Sequence, residues 1–238
     1  MKNLESQTIE ELEAQFDPVI LRVCRNLYPD PAQYRAELIR VRSASGPQVE
    51  PDDLLLILRK YPDARKCWQA ILRLCQKSAP DVPWRDLPLP DMERDIVAAS
   101  HWLSAQIAAL PDATGIYLGL DTLNMDNGHG TNLDFGGTAA CDVSQDQVEW
   151  VYGQLKFGEK HLIRGLYELQ QVYSQPRWKS VFSFADYMLF LGYSGIILGH
   201  AFNRLSTVRC LLPAWGFQDG DLFVLGRKTP DKFDFICK

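Results

Sequence analysis

The stretch GLDTLNMDNGHGTNLDFGG, residues 119–137, constrains the fold more than any other part of the chain. Asn127-Gly128 stands between two segments of alternating polarity. It is the strongest short-range signal for a two-residue β-hairpin, because both turn positions need positive φ and these residues tolerate it. With the turn placed there, Asp126 pairs with His129, Asn124 faces Thr131, and Asp121 faces Asp134. Two carboxylates directly opposite each other are destabilising unless a proton, a cation or a partner's Lys or Arg lies between them. The reading therefore predicts either a held positive charge or a different register.

The rest of the chain sorts around this hairpin. Residues 1–78 read as a helical lobe of four or five short helices. Thr8 to Glu11 has the pattern of a capping box, and Asp17-Pro18, Asp30-Pro31 and Glu50-Pro51 put proline where a first helical turn accepts it. The segments LYPDPAQYRAELIRV from Leu27 and KYPDARKCWQAILRL from Lys60 resemble each other at a spacing of 33 residues, which predicts two stacked helical hairpins. Residues 79–90 carry all four prolines of SAPDVPWRDLPLP and read as an extended surface connector. Residues 91–238 read as an α+β lobe. Its helices run from Asp91 to Leu110, Ser144 to about Leu155, about Glu159 to Ser174 and about Ser183 to Arg204, and further strands lie in TVRCLLP, DLFVLGRK and KFDFICK. The fold class is thus α+β: N-terminal helical hairpins, then a mainly antiparallel sheet packed on helices.

Charge is distributed unevenly. The formal net charge is -5, yet residues 1–90 hold 13 basic and 13 acidic residues, so the imbalance lies in the second part. No Lys or Arg occurs between Arg94 and Lys156, an interval containing Asp95, Asp112, Asp121, Asp126, Asp134, Asp142, Asp146 and Glu149. Such a run disfavours nucleic acid and suits a basic partner or a cation. Six cysteines without CxxC or Cys-His ligand spacing read as reduced thiols. The start of the chain lacks the apolar core of a secretory signal, and MLFLGYSGIILGHAF is too short to span a bilayer. These features predict a cytoplasmic protein without membrane partners, with MLFLGYSGIILGHAF as a buried helix.

Local catalytic signatures fail on spacing. A calcium loop would need an acidic ligand five residues before its glycine, where Gly128 and Gly130 find Leu123 and Met125. A nucleophile elbow requires glycine two before and two after the serine, whereas around Ser194 in LGYSGII they fall at Gly192 and Gly195, so the spacing fails. Gly195 and Gly199 instead predict close approach of another element, His200 a core histidine, and His101 and His161 surface or boundary residues. No phosphate loop, HExxH or dinucleotide fingerprint occurs, and no cofactor is predicted. PAWGFQDGDLFVLGRK places Trp215 and Phe217 beside Asp219 and Asp221, a mixture suited to an exposed interface anchor.

The segments GIYLGLDTLNMDNG and GFQDGDLFVLGR, with the acidic stretch around the first, resemble bacterial immunity proteins that neutralise a cognate secreted toxin, including those paired with type VI secretion effectors. The resemblance spans the second half of the chain and implies a non-catalytic protein–protein interaction. These families share no single fold, so it transfers no binding residue. From the residues themselves, the expected contact set is Asp121, Asn124, Asp126, His129, Asp134, Trp215, Phe217, Asp219 and Asp221, meeting a basic toxin surface. Two other readings stand beside it: a metal-assisted hydrolase with Asp121, His129 and Asp134 as ligands, and a scaffold whose N-terminal hairpins bind a peptide.

Overall fold

The computed structural model describes residues 7–14, 21, 25, 28–44, 51–80, 82–121, 132–173, 184–218 and 222–235. Within them the chain is α+β. The helices are α1 (Ile9–Glu13), α2 (Pro31–Ala44), α3 (Pro51–Lys60), α4 (Ala64–Ser78), α5 (Met92–Ala109), α6 (Arg164–Tyr173) and α7 (Phe184–Arg204). The strands are β1 (Gly115–Leu120), β2 (Asn132–Thr138), β3 (Lys156–Phe157), β4 (His161–Leu162), β5 (Leu212–Phe217), β6 (Leu222–Val224), β7 (Gly226–Lys228) and β8 (Phe233–Phe235). The main sheet has the order β3-β2-β1-β5-β6, with β4 also on β2, and β7 and β8 form a separate hairpin. β1 and β5 are parallel and every other pairing is antiparallel. A parallel neighbour requires a crossover, and α6 and α7 supply it.

Alternation along the strands divides the sheet into two faces. Ile116, Leu118 and Leu120 of β1, Leu133 and Phe135 of β2, and Trp215 and Phe217 of β5 join the principal core with the helices. The opposite face carries Tyr117 and Ala214, packed with Val151, and Leu212 and Val224, packed with Cys141. The segment 140–155 therefore roofs the side away from the helices. Because β1 is buried on both faces along its whole length, its sequence GIYLGL lacks polar alternation.

The centre of the helical layer is α7, apolar on all sides and buried accordingly from Met188 to Leu198. A Cβ on Gly195 would stand 2.9 Å from both the Trp215 ring and Leu58, and one on Gly199 would overlap the Phe235 ring. These glycines admit β5 and β8 against the helix, as expected. Ser194 Oγ accepts a hydrogen bond from Trp215 Nε1 at 2.9 Å and donates to the Leu191 carbonyl. Its hydroxyl is thus a buried structural group.

Several expectations require correction. The repeated Tyr-Pro-Asp segments both open helices, and the reason is the aspartate: Asp30 Oδ1 accepts from Gln33 N–H and Asp63 Oδ1 from Lys66 N–H. The two helices pack into different clusters, however. Tyr34 and Leu38 of α2 meet Leu12 of α1, whereas Trp68, Ile71 and Leu74 of α4 lie in the principal core beside Leu54 and Leu58 of α3. The core thus crosses residue 78, so α3 and α4 belong with the sheet. The proline-rich connector is pinned rather than draped, because Trp84 is buried in a 3-10 turn (Trp84–Asp86) and its indole N–H reaches the Ala79 carbonyl at 2.7 Å. Ser144 opens a turn instead of a helix: its N–H and hydroxyl both bond Asp142 Oδ1, and only a 3-10 turn (Glu149–Tyr152) follows. Finally, Glu159 does not begin a helix. The short strands β3 and β4 occupy residues 156–162, and α6 starts at Arg164.

Candidate functional site

The β1–β2 pairing differs by two residues from the register counted outward from Asn127-Gly128. Gly119 faces Asp134 and Leu120 faces Leu133, and Asp121 N–H bonds the Asn132 carbonyl at 3.0 Å. The residues between, 122–131, lie outside the described residues, and with them Asn124, Asp126, the Asn127-Gly128 turn and His129. A shift of two preserves the face of each side chain. Asp121, Asn132 and Asp134 therefore share the face away from the helices.

A cation holds the two carboxylates together, and it comes from this chain. Lys160 Nζ lies 3.2 Å from Asp121 Oδ1 and 2.9 Å from Asp134 Oδ1. Both contacts stabilise the ammonium and raise the Lys160 pKa above its ordinary value. Asn132 Nδ2 donates to Asp121 Oδ2 at 3.2 Å, and Gln218 at the end of β5 donates to Asp134 Oδ2. Two carboxylates sharing one ammonium leave a net charge of about -1. The position that the metal reading assigns to an ion between Asp121 and Asp134 is held by the ammonium of Lys160. Among the described residues, no group of three His, Cys, Asp or Glu side chains converges as a ligand set.

The turn that presents Lys160 is clamped to α5. Trp102 Nε1 donates to the Glu159 carbonyl, and Glu159 N–H donates to Gln106 Oε1, each at 3.0 Å. His161 points to the opposite side from Lys160, toward the helices, and stacks on Trp102 with ring centroids 4.9 Å apart. Its Nε2 is buried and makes no hydrogen bond among the described residues, and burial lowers its pKa below the ordinary value. It is a boundary residue as expected, with a buried edge.

On the same face as Lys160, register places Phe157 opposite Gly136 and Leu162 opposite Asn132. Phe157 is 70% exposed and Leu162 49%. The sheet edge thus carries two exposed apolar side chains flanking an aspartate–lysine–aspartate cluster, all on one side. Sequence reasoning missed Phe157, Lys160 and Leu162 because it assigned part of this segment to a helix. The signal available was the end of the cation-free interval, at Lys156 and Lys160.

Trp215 and Phe217 do not join this face. Trp215 is completely buried and Phe217 nearly so, because in the parallel register they stand beside Leu118 and Leu120 on the helix side. The expectation that they anchor an exposed rim is overturned by strand parity. Asp219 and Asp221 lie outside the described residues.

The remaining carboxylates of the acidic run disperse. Asp95 is buried beneath α6, accepting from Gly165 N–H at 2.7 Å and the Tyr193 hydroxyl at 2.9 Å, with Arg94 Nε 3.1 Å away. Asp142 is engaged by Ser144 and Gln145. Asp146 pairs with Arg227 at 2.7 Å, while Asp112 and Glu149 are exposed. The run does not form one continuous acidic surface among the described residues.

No helix among the described residues is long and apolar enough to cross a membrane. No family model matches the chain, and neither a curated protein nor a solved structure is significantly similar to it.

Proposed function

We propose that this chain is a non-catalytic binding protein of the toxin-neutralising kind, acting in the cytoplasm on a partner with a basic contact surface. The observation that carries the reading is the face formed by Phe157, Leu162 and the Asp121–Lys160–Asp134 cluster. Exposed apolar side chains beside a polar rim are the composition of a protein-binding patch, in which an aromatic anchor supplies most of the affinity. The edge position also leaves β3 and β4, only two residues each, without an outer neighbour in the sheet among the described residues.

Charge selects the partner's sign. The cluster retains one net negative charge, and the chain as a whole carries -5. A basic partner is therefore drawn to this face, and its Lys or Arg adds a second cation to carboxylates that now share one. The acidic attraction is local, because Asp95, Asp142 and Asp146 of the run are taken up by the core, a turn and an ion pair.

The test uses the product of the neighbouring open reading frame, since an immunity gene normally sits beside its toxin. Co-expression is expected to restore growth and yield a stable complex. Phe157→Ser with Leu162→Ser is expected to weaken that complex by at least about tenfold, the loss typical of an interface anchor. Absence of any complex, or a complex indifferent to both substitutions, contradicts the proposal.

A further inference from the structure

A cleft of about 650 Å3 opens where the C-terminal ends of α5 and α7 meet the loop between β7 and β8. It lies at the N-terminal ends of β1 and β5, the opposite end of these strands from Asp121 and Gln218. Its lining includes Lys228, Arg209, Arg204, Ser206, Thr207 and Asp231.

Lys228 is the unusual member. It is 1% exposed, yet its ammonium makes no ion pair or hydrogen bond among the described residues. Strand parity turns it to the opposite side of β7 from Arg227, whose guanidinium reaches Asp146 on the roofing segment. Its own backbone is fixed by two hydrogen bonds with Leu211, at 2.8 and 2.9 Å, so it is held in place at the cleft wall. Burial lowers its pKa, partly offset by Asp231. With its stem buried and no carboxylate within ion-pair distance among the described residues, its ammonium is left to the cleft that the residue lines.

The other cations are already oriented. Arg209 Nη2 donates to the Ile107 and Leu110 carbonyls at 2.8 and 2.9 Å, which seats its guanidinium at the end of α5. Arg204 is paired with Glu93 at 2.8 Å. Asp231 lies outside ion-pair distance of Lys228. The balance of the wall is therefore positive, with the hydroxyl residues Ser206 and Thr207 beside it.

We propose that this cleft binds a compact oxyanion, a phosphate or carboxylate group, with Lys228 as its principal cation. Such a group supplies the acceptors that Lys228 lacks, and Arg209 contributes guanidinium donors not used on the helix carbonyls. This site is independent of the proposed protein-binding face.

The experiment titrates the full chain with inorganic phosphate and, separately, with acetate, against chloride at matched ionic strength, following amide chemical shifts. Saturable shifts centred on residues 206–209 and 228 are expected. Saturation by phosphate alone identifies a phosphate site, and saturation by acetate a carboxylate site. Lys228→Met is expected to weaken binding at least about tenfold, the scale of one lost hydrogen bond to a charged group. Ala108→Glu, an exposed position on α5 that lines the cleft, is expected to do the same by repulsion without touching the core. It decides the matter if Lys228→Met does not fold. No saturable shift with either anion, or unchanged affinity in the folded variants, overturns the proposal.

Discussion

At the scale of single residues, the chain's buried polar groups carry specific burdens. Asp95 accepts two hydrogen bonds from groups far away in sequence, one from Gly165 and one from Tyr193, and so ties α5 to α6 and α7. Replacing it with leucine strands both donors, and Asp95→Leu is expected to cost about 3 kcal/mol in denaturant unfolding. A cost below that of an ordinary surface substitution would show that the three helices do not depend on this carboxylate. His161 makes a pH prediction. Its folded pKa is lower than the ordinary 6.5 because of burial, so below pH 6.5 the unfolded chain takes up the proton first. Stability is therefore full above that pH and falls as the pH drops toward the folded value. His200, also lowered by burial, acts in the same direction. His161→Phe keeps a ring on Trp102 and removes one of these protons, so its stability is expected to fall less between neutral and mildly acidic pH. An identical slope in the variant contradicts this assignment.

At the scale of elements, the long apolar helix was legible to within a residue, because a segment hydrophobic all round has few alternatives. Gly195 tests why it carries glycine. Helix propensity favours alanine there by about 1 kcal/mol, but a methyl group would press on the Trp215 ring and Leu58. Gly195→Ala is expected to destabilise by about 1–3 kcal/mol through overpacking, and a stabilised variant would contradict the close approach. The strands around the hairpin were likewise legible from the Asn-Gly signal and alternation, yet their register was not. The observed pairing is offset by two residues from the count outward from Asn127-Gly128, and a turn dipeptide alone cannot reveal it. Strand parity also decided the aromatics: Trp215 and Phe217 look exposable beside Asp219 and Asp221, and only the pairing of β5 with β1 turns them inward. Two-residue strands carry no periodicity, so segment 156–162 reads partly as helix in the sequence and leaves Lys160, the cation between Asp121 and Asp134, without a role.

At the scale of the whole molecule, the proline-rich connector suggested a boundary that the core does not respect. Trp68, Ile71 and Leu74 share one cluster with α7 and the sheet, whereas Leu12, Tyr34 and Leu38 form another. Residues 51–238 are therefore expected to unfold cooperatively on their own. A chain beginning at residue 79 is expected to lose cooperative unfolding, since it lacks one wall of the core. Cooperative melting of the shorter chain would restore the boundary at the connector. Long-range contacts of this kind leave no local mark in the sequence beyond the apolar faces of α3 and α4, which fit a separate helical lobe equally well.

The central functional claim is that a basic partner is drawn to the face of Phe157, Leu162 and the Asp121–Lys160–Asp134 cluster. The most direct measurement is the association rate with the neighbouring gene's product at low and high salt, for the native chain and for Asp121→Asn with Asp134→Asn. The rate is expected to fall steeply with salt in the native chain and to be slower and less salt-dependent in the double variant. A rate indifferent to salt, or a salt dependence unchanged by the substitutions, would contradict electrostatic attraction to this face.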